Sequence, residues 1–127
     1  MGDLNKMAVY RKAFEYMVYI EQSVRNFSRY NKYSIGSELR KRARSMTLQF
    51  ALFNKKKSHE KIAVLSELQK SVEEAKIELT LSRELLTFKK YEAWYHGAQI
   101  LEEIGRQVDL LKRYFEKKAG IKEKSDE

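Results

Sequence analysis

Between Arg25 and Lys57 the chain carries ten arginines and lysines against one acid, Glu38. Guanidinium and ammonium groups at that density suit one kind of chemistry, the holding of phosphates. The candidate contact residues are Arg25, Arg29, Lys32, Arg40, Lys41, Arg44, Lys55, Lys56 and Lys57, joined later in the chain by Arg106, Arg113 and Lys117. On a helical wheel that starts at Leu39, Arg40, Lys41 and Arg44 fall opposite the apolar stripe, while Arg42 flanks it and must snorkel. Tyr30 and Tyr33 interleave with the cations and can stack or simply pack. The plain alternative is a solvated basic face, with Lys55 to Lys57 favoured by the dipole at a helix C-terminus. No sequence-reading module such as a helix-turn-helix is evident. Phosphate contacts would therefore dominate, giving binding to RNA and DNA with weak sequence preference and strong salt dependence.

Catalytic chemistry finds little to work with. The two histidines, His59 and His96, lack a second histidine or a carboxylate three or four residues on, the spacing that metal sites on helices use. No arginine stands a few residues before either one, so the pairing used by helical ribonucleases is missing. There is no cysteine, no glycine-rich phosphate loop, and no G-x-S-x-G or H-E-x-x-H motif. Glu73, Glu74, Glu78, Glu84, Glu92, Glu102 and Glu103 sit among lysines and read as helix-surface charge partners. The expectation is a protein that is not an enzyme and needs no metal or cofactor.

The elements that would position the basic residues are helices. The chain has 127 residues, no proline and five glycines, which suits long helices with few breaks. Apolar residues recur at three- and four-residue steps in four segments. The first, roughly 4–27, carries Tyr10, Ala13, Phe14, Met17, Ile20, Val24 and Phe27. The second, roughly 36–54, carries Leu39, Ala43, Met46, Phe50 and Phe53, with Ser34 or Ser37 as its cap. The third, roughly 59–87, carries Ile62, Leu65, Leu68, Val72, Ala75, Leu79 and Leu86, and Ser58 with Glu60 marks its start. The fourth, roughly 90–118, carries Trp94, Ala98, Leu101, Ile104, Val108, Leu111 and Phe115. The gaps SRYNKYSI, NKKKS and TFKK are short, and short connections make neighbours antiparallel. The expected fold is all-α, an antiparallel up-down-up-down four-helix bundle over 1–118 followed by a polar, frayed tail at 119–127.

The net charge is +8, and its spread is uneven. Residues 25–57 alone carry a net +9, while 58–105 carry a net −3. A localised positive field of this kind attracts polyanions. The start MGDLNK has no apolar core of a secretory signal and, with Lys6, fails the myristoylation pattern. No run approaches the roughly 20 apolar residues that span a bilayer. The expected setting is the cytoplasm, away from membranes.

Some apolar residues fall outside the core stripes. Leu48 and Leu52 point nearly opposite the stripe of the second helix, Ile77, Leu81 and Leu85 form a line on the far side of the third, and Tyr19 does likewise on the first. Scattered surface leucines are ordinary, but a contiguous line is more than a lone monomer usually exposes. These six residues are the expected contacts of a homo-oligomer.

Two stretches, NFSRYNKYSIGSELRKRA from Asn26 and KKYEAWYHGAQILEEIGRQVDLLKRY from Lys89, carry a resemblance. The chain resembles the four-helix-bundle superfamily that includes the accessory variability determinant of diversity-generating retroelements. Proteins encoded in intervening sequences of bacterial 23S ribosomal RNA genes belong to the same superfamily. The matching residues are Asn26-Phe27-Ser28-Arg29, Tyr33-Ser34-Ile35-Gly36, Lys90-Tyr91-Glu92 and Glu103-Ile104-Gly105-Arg106. Ser28 stands where the family has proline, and Gln107-Val108-Asp109-Leu110-Leu111 stands where the accessory proteins often have Gly-Gly-Trp. The resemblance implies a basic homopentamer that binds a reverse transcriptase and nucleic acid and supports error-prone complementary-DNA synthesis. Two alternatives remain at this point: the ribosomal-RNA type of bundle, and a helical scaffold for an acidic protein.

Overall fold

The computed structural model describes residues 8–126, and side chains through residue 120. The part of the first expected helix at 4–7, and the side chains at the end of the expected tail, lie outside the described residues. The described chain is all-α, with five helices: α1 (Ala8–Val24), α2 (Arg29–Tyr33), α3 (Ile35–Phe53), α4 (Ser58–Glu84) and α5 (Tyr91–Asp126). Four of them match the four periodic segments. The short α2 lies in the stretch expected to be a connection. Its start is local chemistry, since the Ser28 hydroxyl accepts a hydrogen bond from the Asn31 amide at 3.3 Å.

Each long helix packs against two others: α1 against α3 and α5, α4 against α3 and α5. Cross-helix pairs fix the register. Thr47 Oγ1 lies 3.2 Å from the Ala13 carbonyl, and Arg44 meets Glu21. Ser71 meets Gln49, whereas Glu78 meets Arg42. Gln69 donates to Asp109, whereas Lys76 meets Glu102 and the Trp94 indole donates to the Leu79 carbonyl.

The core is a set of aliphatic and aromatic side chains from all four long helices, among them Ile20, Leu39, Met46, Phe50, Leu65, Leu68, Leu79, Leu101 and Ile104. Fully burying one such side chain is worth roughly 1.5–3 kcal/mol. The stripes expected for α3 and α5 are buried or packed on the core. The first stripe needs correction. Val9 and Tyr16 are buried in it, and Phe14 is exposed. The α1 sequence is dense in apolar residues, so more than one helical face fits them. Tyr16 is fully enclosed, and burial, with the Glu78 charge second, pushes its phenol well above the ordinary value.

The C-terminus of α4 also differs from expectation. Leu86 is not a core residue. It has φ 58° and is 84% exposed. The Leu86 amide bonds to the Arg83 carbonyl at 2.9 Å and the Thr87 amide to the Ser82 carbonyl at 3.1 Å. This is the Schellman arrangement, with a leucine at the left-handed position that glycine usually fills. At the other end of the chain, α5 continues past residue 118 to Asp126. No proline interrupts it, and Gly120 alone costs a helix only about 1 kcal/mol.

Candidate nucleic-acid interface

The fold takes the basic block apart. Gly36 at the start of α3 sits against Val24, Phe27 and the Asn31 carbonyl, so close that an added Cβ would lie 2.8 Å from Val24 Cγ1. Phe27 packs edge-on against Phe88 with ring centroids 5.1 Å apart. The Tyr19 hydroxyl donates to the Ala93 carbonyl. One end of the molecule therefore gathers the C-terminus of α1, α2, the start of α3, the α4–α5 connection and the start of α5. At the opposite end Phe53 packs on Phe115 at 5.9 Å, and Lys61 lies over both rings. The two ends are separated by the length of α3, about 28 Å for its 19 residues.

Arg25, Arg29 and Lys32 fall at the first end. Lys55, Lys56 and Lys57 fall at the second, and Arg113 and Lys117 lie near them on α5. Arg40 and Lys41 lie between, on α3. None of these cations has a carboxylate partner within ion-pair distance among the described residues. The first end also holds Lys89 and Lys90, which line a cleft of about 340 Å³ with Gln22, Ser23, Asn26 and Phe27. Those two lysines were not among the expected contacts. The signal was present in KKYEAWY, where two cations directly precede three aromatics.

Three arginines are already engaged. Arg42 does not snorkel freely: Nε donates to Glu78 Oε1 at 3.0 Å, Nη2 to Glu78 Oε2 at 3.3 Å, and Nη1 to Glu74 at 3.3 Å. The Glu78 hydrogen bonds push its guanidinium above the ordinary value. Arg44 Nη2 lies 2.5 Å from Glu21 Oε1, a buried oxygen; the contact is a charge contact, not a directed hydrogen bond. Arg106 grips Glu103, with Nε at 3.1 Å from both carboxylate oxygens. Arg106 first, and Gln107 second, hold the Glu103 carboxyl down at about 2 from its ordinary 4.5. Arg44 and Arg106 are both mostly exposed, and either would have to share or leave a carboxylate to hold a phosphate.

Of the expected subunit contacts, Leu48, Leu52, Ile77, Leu81 and Leu85 are exposed on α3 and α4. Tyr19 is half-buried. Its ring packs on the core and meets His96 edge-on at 4.7 Å, and its hydroxyl is used within the chain. Among the described residues no cluster of three or more histidines, cysteines or acids is placed to hold a metal ion, and no helix is long and apolar enough to cross a membrane.

No family model matches the chain, and no curated protein matches it either.

Proposed function

We propose that this chain is a basic, non-enzymatic nucleic-acid-binding protein that acts as an accessory to a reverse transcriptase in a diversity-generating retroelement. Its four long helices would form an antiparallel up-down-up-down bundle, and the paired positions along α1–α3, α3–α4 and α4–α5 support that reading. The observation that carries the function is the placing of carboxylate-free cations at one end: Arg25, Arg29 and Lys32 follow α1 or lie in α2, and Lys89 and Lys90, from the other half of the sequence, line a cleft with Gln22, Asn26 and Phe27 of the α1 end. Phosphate binding there needs only positive charge and accessibility, so it would show little base preference.

The polymerase partner, the retroelement and a ring of five copies rest on the resemblance of four short motifs. Exposed Leu48, Leu52, Ile77, Leu81 and Leu85 support self-association. A ring would place several basic ends in one field and multiply weak contacts through effective concentration. The protein would work in the cytoplasm without a cofactor, leaving the chemistry to the polymerase. The test is co-purification with a diversity-generating-retroelement reverse transcriptase from the same source, repeated with Arg25, Arg29 and Lys32 reversed to glutamate. Retention of the polymerase by the wild type is expected. A polymerase that never co-purifies removes the accessory role.

A further inference from the structure

Near the start of α5 two tyrosine rings face solvent together. Tyr91 and Tyr95 stand one turn apart with centroids 5.8 Å apart and planes only 14° from parallel. They are 53% and 46% exposed, so neither does much for the core. The guanidinium carbon of Arg83, on α4, lies 5.0 Å from the Tyr91 ring centre and 4.7 Å from that of Trp94. Trp94 is itself fixed, since its indole N–H donates to the Leu79 carbonyl at 2.9 Å. Arg83 has no carboxylate partner among the described residues. A guanidinium stacked on rings keeps the N–H groups at its edge for a phosphate. Exposed Lys89 and Lys90 immediately precede Tyr91 in the chain. Glu84 and Glu92 are the acids closest in sequence, and the far side of Tyr95 borders a groove lined by Glu73, Glu102 and Glu103 with Lys76 and Arg106, so the free cations lie on the Tyr91 side.

We propose that Tyr91 and Tyr95 form a stacking platform for the bases of single-stranded nucleic acid, with Arg83 and Lys90 holding the adjoining phosphates. The proposal rests on the nucleic-acid reading above and narrows it to a strand class. A duplex hides its base faces, whereas a single strand offers them, and an aromatic face accepts any base. The rings are preorganised: Arg83 bridges Tyr91 to a tryptophan that the fold already locks. Little side-chain freedom then remains to be lost on binding.

Trp94 is the sole tryptophan, and it touches the platform, so its fluorescence reports on occupancy. The experiment titrates the full chain with oligothymidylate, with a mixed-sequence duplex and with inorganic polyphosphate, which has no bases, at one ionic strength. Oligothymidylate is expected to change Trp94 emission and to bind more tightly than the duplex. Tyr91→Ala and Tyr95→Ala should each weaken oligothymidylate binding at least about fivefold and leave polyphosphate binding unchanged. Tyr91→Phe and Tyr95→Phe should keep the wild-type affinity, which separates stacking from any use of the hydroxyls. Alanine variants that keep wild-type helicity and hold oligothymidylate as tightly as the wild type overturn the platform and leave the phosphate reading standing. A wild type that binds none of the three polyanions overturns both.

Discussion

Arg42 of α3 holds Glu78 of α4 through two parallel hydrogen bonds, at 3.0 and 3.3 Å, and reaches Glu74 with its third nitrogen. The arginine most central to the basic run is therefore a clasp between helices, and the field presented to a partner comes from the residues around it. Arg42→Ala strands two carboxylates, one of them only 19% exposed. We expect a loss of about 1.5–3 kcal/mol in denaturant unfolding. Lys41→Ala, at an exposed neighbouring position, should stay within about 0.5 kcal/mol. Equal effects from the two would contradict the clasp.

Leu86→Gly should stabilise the protein. The left-handed region costs a side-chain-bearing residue about 1–2 kcal/mol, and the exposed leucine recovers little by burial. Glycine's greater freedom in the unfolded chain offsets part of the gain. Roughly 0.5–1 kcal/mol should remain, read as a higher denaturant midpoint. A destabilised variant would mean that the Leu86 side chain packs in the free protein.

Gly36→Ala and Gly105→Ala should separate cleanly. Alanine favours a helix by about 1 kcal/mol over glycine. At Gly36 the new methyl meets Val24 Cγ1 at 2.8 Å and the Asn31 carbonyl oxygen at 2.9 Å, and overpacking of that kind costs about 1–3 kcal/mol. At Gly105 the nearest atoms are Val72 Cγ1 at 3.3 Å and the Lys76 ammonium at 3.8 Å. Thermal unfolding should show a lower midpoint for Gly36→Ala and little change for Gly105→Ala. The reverse order would refute the close approach of α1, α2 and α3.

Tyr16 makes stability pH-dependent on the alkaline side. Its phenol is pushed above the ordinary 10.0 by burial and by Glu78. A group whose pKa is raised by folding stabilises the protein fully below its unfolded value, and that contribution disappears as pH rises toward the folded value. Wild type should therefore lose stability above about pH 10 more steeply than Tyr16→Phe, which has no proton to release. Parallel alkaline profiles for the two proteins would show that the phenol reaches solvent.

The helices were legible because burial follows period. On α3, Leu39, Ala43, Met46, Phe50 and Phe53 are all buried, as a three- and four-residue step requires. Phase was harder to read than period. On α1, Tyr10, Phe14, Tyr16, Met17, Val18 and Tyr19 wrap most of the helix, and the neighbours, not the pattern, decide that Tyr16 points inward and Phe14 outward. The charge map was the least legible part. Arg25 and Lys57 belong to one run in the sequence and to opposite ends in space, because a whole helix lies between them. Lys89 comes to the same end as Arg25 through contacts such as Phe27 on Phe88 and Tyr19 on the Ala93 carbonyl, which no local pattern announces. Engagement was invisible too: nothing in the order of residues tells Arg42 and Arg44, tied to acids, from Arg40 and Lys41, which are not.

The central claim is that carboxylate-free cations at the end formed by α1, α2 and the α4–α5 connection bind nucleic acid through its phosphates. The most direct measurement is affinity for a short RNA or DNA as a function of salt, on wild type and on a variant with Arg25, Arg29 and Lys89 changed to glutamine. Wild-type affinity should fall by roughly 10³ or more between about 50 and 200 mM salt. The variant should bind more weakly, with a shallower salt slope and the same helicity. An affinity that ignores salt, or a variant that binds and responds to salt as the wild type does, would contradict the account.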